Sequence, residues 1–256
     1  FGAGDVSKVK TLNGAFNGWA SFNQDIGAWD VSKVKTLQGA FTDAAAFNQP
    51  IGGWDVSKAT TTQILFRAAV AFDQAIGEWD TSKVTNMEEL FDDAFAFNGN
   101  VSEWDTTQVT NMGSVFESTP FNGDVSKWDT AKVETMGDMF DHAAAFNGPL
   151  TKWDTSSVTN MQCTFRRASA FDQPIGAWNL RSLVSMQSAF YEATSFNQPV
   201  GAWNTSKVEN MRYTFMHATA FNQGLASWNI NSVTSTDLMF SSASSFDQYL
   251  CWDLSE

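Results

Sequence analysis

Large apolar residues recur along this chain with a period of 25. Trp29, Trp54, Trp79, Trp104, Trp128, Trp153, Trp178, Trp203, Trp228 and Trp252 follow one another in steps of 25, shortened to 24 before Trp128 and before Trp252. One phenylalanine column runs from Phe16 through Phe41, Phe66 and Phe91 to Phe240, and a second from Phe22 through Phe47, Phe72 and Phe97 to Phe246. Together they hold all but two of the 22 phenylalanines. The units begin near residues 4, 29, 54, 79, 104, 128, 153, 178, 203 and 228, with Gly4 at the first Trp position and a partial unit from Trp252. Within Ile76–Gly99, Trp79 and Thr81 alternate with Asp80, which predicts a short strand over Ile76–Thr81. Met87, Leu90, Phe91 and Ala94 then fall at i, i+3, i+4 and i+7, which predicts a short helix. The column Thr11, Thr36, Thr61, Asn86, Asn111, Thr135, Asn160, Ser185, Asn210, Ser235 precedes that face and reads as its N-cap.

A 25-residue unit cannot bury its own apolar face, whereas stacked units can. The chain therefore reads as one array over 1–256, with parallel strands about 4.8 Å apart and equivalent rings superposed inside. In this arrangement the Thr81, Thr106, Thr130, Thr155 column points inward, which argues against a threonine-based ice-binding face. Neither end breaks the pattern as a cap would, so neighbouring sequence or a neighbouring subunit is expected beyond both.

The unit Trp-Asp-x-Ser-x-Val-Thr-Asn-Met-x-x-x-Phe-x-x-Ala-x-x-Phe-Asn-Gln-x-Ile-Gly, as in Trp79–Gly99 or Trp153–Gly176, resembles the BspA-like leucine-rich repeat family, also described as a mycoplasma-type repeat domain of unknown function. The resemblance covers essentially the whole chain. It implies a right-handed, leucine-rich-repeat-like solenoid, so the fold class expected is an α/β repeat of about ten coils, each with one short parallel strand and one short helix. Members are often surface or secreted proteins engaged in adhesion and protein interaction, and the resemblance supplies no catalytic residues. Departures are local: Thr62 and Thr236 stand for Met, Ala59 for Val, and the shortened stretch Phe116–Phe121 marks a kink near Pro120.

Charge and chemistry narrow the function. With 15 Lys and Arg against 28 Asp and Glu, the net charge of −13 argues against nucleic acid. No apolar run approaches the roughly 18–20 residues of a membrane span. Cys163 and Cys251, in different columns and more than three coils apart, lie beyond disulfide reach. His142 and His217 share a column but stand three coils apart, too far to share a metal, and are expected to face solvent. There is no Gly-rich phosphate loop, nucleophile elbow or zinc spacing, so no catalytic residue is assigned and no enzyme is expected.

The Asp after each Trp is the most suggestive column: Asp5, Asp30, Asp55, Asp80, Asp105, Asp129, Asp154, then Asn179, Asn204, Asn229 and Asp253. Stacked carboxylates repel, and either calcium or a turn would offset that, with Oδ accepting the N–H two residues on and nearby lysines screening the charge. Asn makes the same turn bond but is the poorer calcium ligand, so the turn is preferred and no cofactor is expected. Free exchange of Asn and Asp after the second Phe reads as a polar ladder. The residues just before Trp carry charge only in mid-array, at Glu78, Glu103, Lys127 and Lys152. With Asp80, Asp105, Asp129 and Asp154 they form the candidate partner-binding strip. The function expected is a non-catalytic interaction or adhesion module, extracellular or on the cell surface, with a protein or glycan partner. The alternative is a structural subunit that assembles end to end or laterally.

Overall fold

In the computed structural model, which describes residues 5–252, the 25-residue unit is present but its backbone is neither helix nor strand. Gly4, expected to open the first unit, and Asp253–Glu256, expected to continue the Asp column into an eleventh, lie outside the described residues. Among the described residues there is no helix, and parallel pairing is confined to single-residue bridges: Thr11 with Thr36, then Thr61, Asn86, Asn111, Thr135, Asn160, Ser185, Asn210 and Ser235 in succession. The expected α/β class, a strand and a helix in every coil of a leucine-rich-repeat-like solenoid, is therefore corrected to a stack of turn-built units.

Hydrogen-bond direction explains the correction. Met87, Glu89, Phe91 and Asp93 donate their N–H groups to Asn111, Gly113, Val115 and Glu117 of the next unit at 2.8–3.1 Å. Between them, Leu90, Asp92 and Ala94 donate to Met87, Glu89 and Phe91 three residues back, at 2.9–3.4 Å. A helix would turn every N–H inward on itself and leave none for a neighbour. Here alternate N–H groups join the units, and the segment between is a ribbon of overlapping turns. The ribbon requires left-handed backbone twice per unit, at Glu89 (φ 53°) and Asp93 (φ 56°) and at the equivalent positions along the array. Glycine takes these positions at Gly14, Gly18 and Gly39, but elsewhere side chains such as Ile64 and Tyr213 occupy them. Each costs roughly 1–2 kcal/mol, offset by the bonds between units that the conformation permits.

The Thr/Asn/Ser column keeps half of its expected role. Asn86, Asn111, Asn160 and Asn210 accept through Oδ1 the N–H two residues on, at 2.9–3.0 Å, as a cap would. The segment they open is the turn ribbon, and the same residues form the bridges between units. The stretch from Ile76 to Thr81 is also a turn, closed by Trp79 N–H to the Ile76 carbonyl at 3.2 Å. Even so, Trp79 and Thr81 are buried and Asp80 is exposed, as alternation required.

The core is a set of ladders. Phenylalanine pairs within a unit stack at 3.7–4.2 Å between ring centroids, as Phe91 with Phe97 at 3.7 Å and Phe190 with Phe196 at 4.2 Å. Successive units superpose them at 5.3–6.3 Å, as Phe16 with Phe41 at 5.3 Å and Phe97 with Phe121 at 6.3 Å. Burying each ring contributes about 1.5–3 kcal/mol, and each pair adds about 0.5–1.5 kcal/mol. The indoles are fixed by more than packing: Trp54, Trp79, Trp104 and their successors each donate Nε1–H to a carbonyl of the preceding unit, 3.0 Å for Trp104 to Ile76. Buried hydroxyls follow the same rule, with Thr81, Thr106, Thr130, Thr155 and Thr205 bonded to a carbonyl of the following unit. The missing residue at Pro120 leaves the ring ladder intact, since Phe121 stacks on Phe146 at 6.2 Å as regularly as elsewhere.

Candidate functional site

All eight residues of the predicted strip are exposed: Glu78, Glu103, Lys127 and Lys152 directly precede the buried Trp of their units in sequence, and Asp80, Asp105, Asp129 and Asp154 directly follow it. Lys127 pairs with Glu103 across adjacent units. That bond holds the Glu103 carboxyl below its ordinary range and raises the Lys127 ammonium.

The Asp column is a column of turns. Asp5, Asp30, Asp55, Asp80 and Asp154 accept N–H from Ser7, Ser32, Ser57, Ser82 and Ser156 at 2.9–3.1 Å, and Asp105 and Asp129 do the same with Thr107 and Ala131. The serine hydroxyl and N–H hold the carboxyls of Asp30, Asp55 and Asp80 below their ordinary value. Asn204 and Asn229 make the same bond, so one oxygen acceptor suffices for the turn. The neighbouring lysines do more than screen: Lys33, Lys58 and Lys83 donate Nζ to Ser7, Ser32 and Ser57 carbonyls of the preceding unit at 2.8–2.9 Å. After the second Phe, each Asn or Asp accepts through Oδ1 the N–H of its counterpart in the next unit, from Asn23 with Asn48 to Asn222 with Asp247. The polar ladder is thus a continuous row of side-chain-to-backbone bonds.

A second constellation is not apparent along the chain. The residues just after the first Phe of five successive units are Arg67, Asp92, Glu117, Asp141 and Arg166, three carboxylates between two guanidinium groups. Arg67 Nε lies 3.3 Å from Asp92 Oδ2, and fully buried Asp141 takes Arg166 on both oxygens, with Nε at 2.9 Å. Glu117, between the two pairs, has no cation among the described residues. Burial pushes its carboxyl up to about 7, with Asp92, Asp141 and Asp138 adding repulsion against a Ser114 bond that lowers it. Burial also raises Asp92 to about 6, with Asp93 adding to it and Arg67 opposing it. Among the described residues, Glu117, Asp138 and Asp141 place one carboxylate oxygen each within 4.8 Å of one another, the geometry a cation would use. Arg166 already holds Asp141, which works against a metal there. Comparing the position after the first Phe from unit to unit is the signal that would have found the constellation.

The two histidines are half-buried rather than solvent-facing. His142 Nδ1 sits 2.9 Å from Asp141 Oδ1 without a hydrogen-bonding approach, and its Nε2 lies 2.6 Å from Arg167 Nη1. Cys163 and Cys251 are free thiols. Burial pushes the Cys163 thiol up to about 12, with Asp138 adding repulsion, so it carries no thiolate at neutral pH. No helix among the described residues is long and apolar enough to cross a membrane.

No curated protein and no solved structure matches the chain. Three tandem segments, residues 2–104, 66–175 and 173–256, match one repeat family and between them span nearly the whole sequence. That coverage shows that the chain belongs to the family described as Mycoplasma protein of unknown function, DUF285.

Proposed function

We propose that this array is a non-catalytic interaction module that presents the band around its Trp column to a protein or glycan partner at the cell surface or in the extracellular space. The observation that carries the reading is geometric. Glu78, Glu103, Lys127 and Lys152 are exposed next to the buried indoles in sequence, Lys127 pairs with Glu103 of the preceding unit, and the indoles tie successive units together, which supports a face that needs little ordering on binding. The likeness of the unit to BspA-like repeats supports adhesion as the use of such a face. Burial holds Cys163 as a protonated thiol, so it supplies no thiolate nucleophile. No cofactor is assigned to the module.

The test is retention of the chain on a panel of immobilised extracellular glycoproteins and neutral glycans, beside a variant carrying Glu78→Lys, Glu103→Lys, Lys127→Glu and Lys152→Glu. Loss of a measured affinity in the variant supports the band. Equal affinity removes it, and failure of the native chain to bind any member of the panel removes adhesion.

A second reading is a structural subunit that assembles end to end. Mass measured by light scattering across a concentration series separates the readings, since assembly raises it and a lateral module leaves it constant.

A further inference from the structure

Phe95 is the one described phenylalanine that belongs to neither core column. Its equivalents in neighbouring units are Ala45, Val70 and Ala144, and it is 59% exposed, with no ring stacked on it. Val70, in the same column of the preceding unit, is 37% exposed. The following unit is the shortened one: its chain passes from Thr119 to Phe121 through exposed Pro120 alone. The backbone is open here as well. Ala46 and Ala71 donate N–H to Ala20 and Ala45 of the preceding unit, and the pattern resumes at Ala170 to Ala144. Pro120, between them, has no N–H to donate. An apolar notch of exposed Val70, Phe95 and Pro120 results, in a different column of the repeat from the Trp band.

Acidic groups border this notch. Asp93 precedes Phe95 by two residues, and the Phe95 N–H bonds its carbonyl at 3.0 Å. Asp92 and Glu117 occupy the adjoining column in the same unit and the next, where Glu117 has no cation of its own among the described residues. An exposed ring with Asp93 two residues before it, and with Glu117 of the next unit, whose carbonyl accepts the Asp93 N–H, lacking a cation among the described residues, matches a partner that is both apolar and basic.

We propose that the notch of Val70, Phe95 and Pro120 is a docking site for a basic segment that carries apolar side chains. The apolar residues of the segment cover Phe95, and its Lys or Arg groups face Asp93 and Glu117. The site is independent of the Trp band and operates whether or not that band binds a partner.

The probe is a fluorescein-labelled peptide, Lys-Leu-Lys-Lys-Phe-Lys-Arg-Leu, titrated with the full chain by anisotropy at about 0.15 M salt, where long-range attraction is screened. Two control peptides replace either its Leu and Phe by Ser or its Lys and Arg by Glu. Phe95→Ala, which restores the alanine found in sister units, is expected to weaken binding about tenfold. Glu117→Gln and Asp93→Asn are each expected to weaken it severalfold, and Asp80→Asn with Asp105→Asn on the Trp band to leave it unchanged. Unchanged binding in Phe95→Ala, or equal binding of the serine peptide, overturns the proposal and leaves only general attraction to an acidic protein. Equal loss in the Asp80 and Asp105 variant overturns it in the same way, and no binding at all by the native chain also does so. Glu78→Lys with Glu103→Lys, measured in parallel, reports on the Trp band alone, so the two readings fail separately.

Discussion

Glu117→Gln is expected to stabilise the protein at pH 8 and to change nothing at pH 4.5. The carboxyl has an ordinary value of 4.5 and is raised to about 7 in the fold, chiefly by burial and then by Asp92, Asp141 and Asp138. A raised acid makes the folded state bind protons more tightly than the unfolded chain. Its contribution is therefore intact below pH 4.5, falls as pH rises towards 7, and is wholly lost above that. The difference corresponds to about 3 kcal/mol at pH 8, and about half of that where water reaches the side chain. Glutamine keeps the shape and carries no charge, so the variant escapes the loss. Urea unfolding followed by tryptophan fluorescence reads it directly: with a slope of about 3 kcal/mol per molar, the midpoint moves up by about 0.5–1 M at pH 8. A shift of equal size at pH 4.5, where the folded carboxyl is protonated, would refute the electrostatic reasoning. No shift at pH 8 would show that the carboxylate is solvated after all.

Three further outcomes rest on the ladders. Trp104→Phe keeps the ring stack but leaves the Ile76 carbonyl without its 3.0 Å indole donor, and is expected to cost about 1–3 kcal/mol in the same urea assay; a neutral result would mean that packing alone holds the indole. Asn98→Asp is expected to be nearly silent, because Asp73 serves the same role, whereas Asn98→Leu leaves the Asn122 N–H unpaired and costs about 1 kcal/mol; similar losses in both would discount the ladder bond. The carboxyls of Asp30, Asp55 and Asp80 are held below the ordinary 3.8 by Ser32, Ser57 and Ser82, so their stabilisation is present at neutral pH and lost as pH falls from 3.8 through their folded values. Carboxyl carbon titrations followed by NMR should show depressed midpoints at all three, and midpoints at or above 3.8 would discount the turn bonds.

The order of the units, the burial of their rings and the inward direction of the Trp, Phe and Thr columns were determined by the sequence itself. The reason is physical: a 25-residue unit with two Phe and one Trp can hide them only against its neighbours, so a strict period forces superposition. The Asp turns were legible for a similar reason, because an Asn that replaces Asp without loss identifies a bond that needs only an oxygen acceptor. Only the tertiary structure decided the backbone between those fixed points. Met87, Leu90, Phe91 and Ala94 turn inward equally well on a helix or on a ribbon of turns, and apolar spacing does not report whether an N–H bonds its own unit or the next. Left-handed backbone at Glu89 and Asp93 is likewise invisible in side chains that seldom adopt it. Carboxylates set between Arg67 and Arg166, and a ring stranded beside Pro120, come together across units separated by about 25 residues of chain, and stacking alone makes them neighbours.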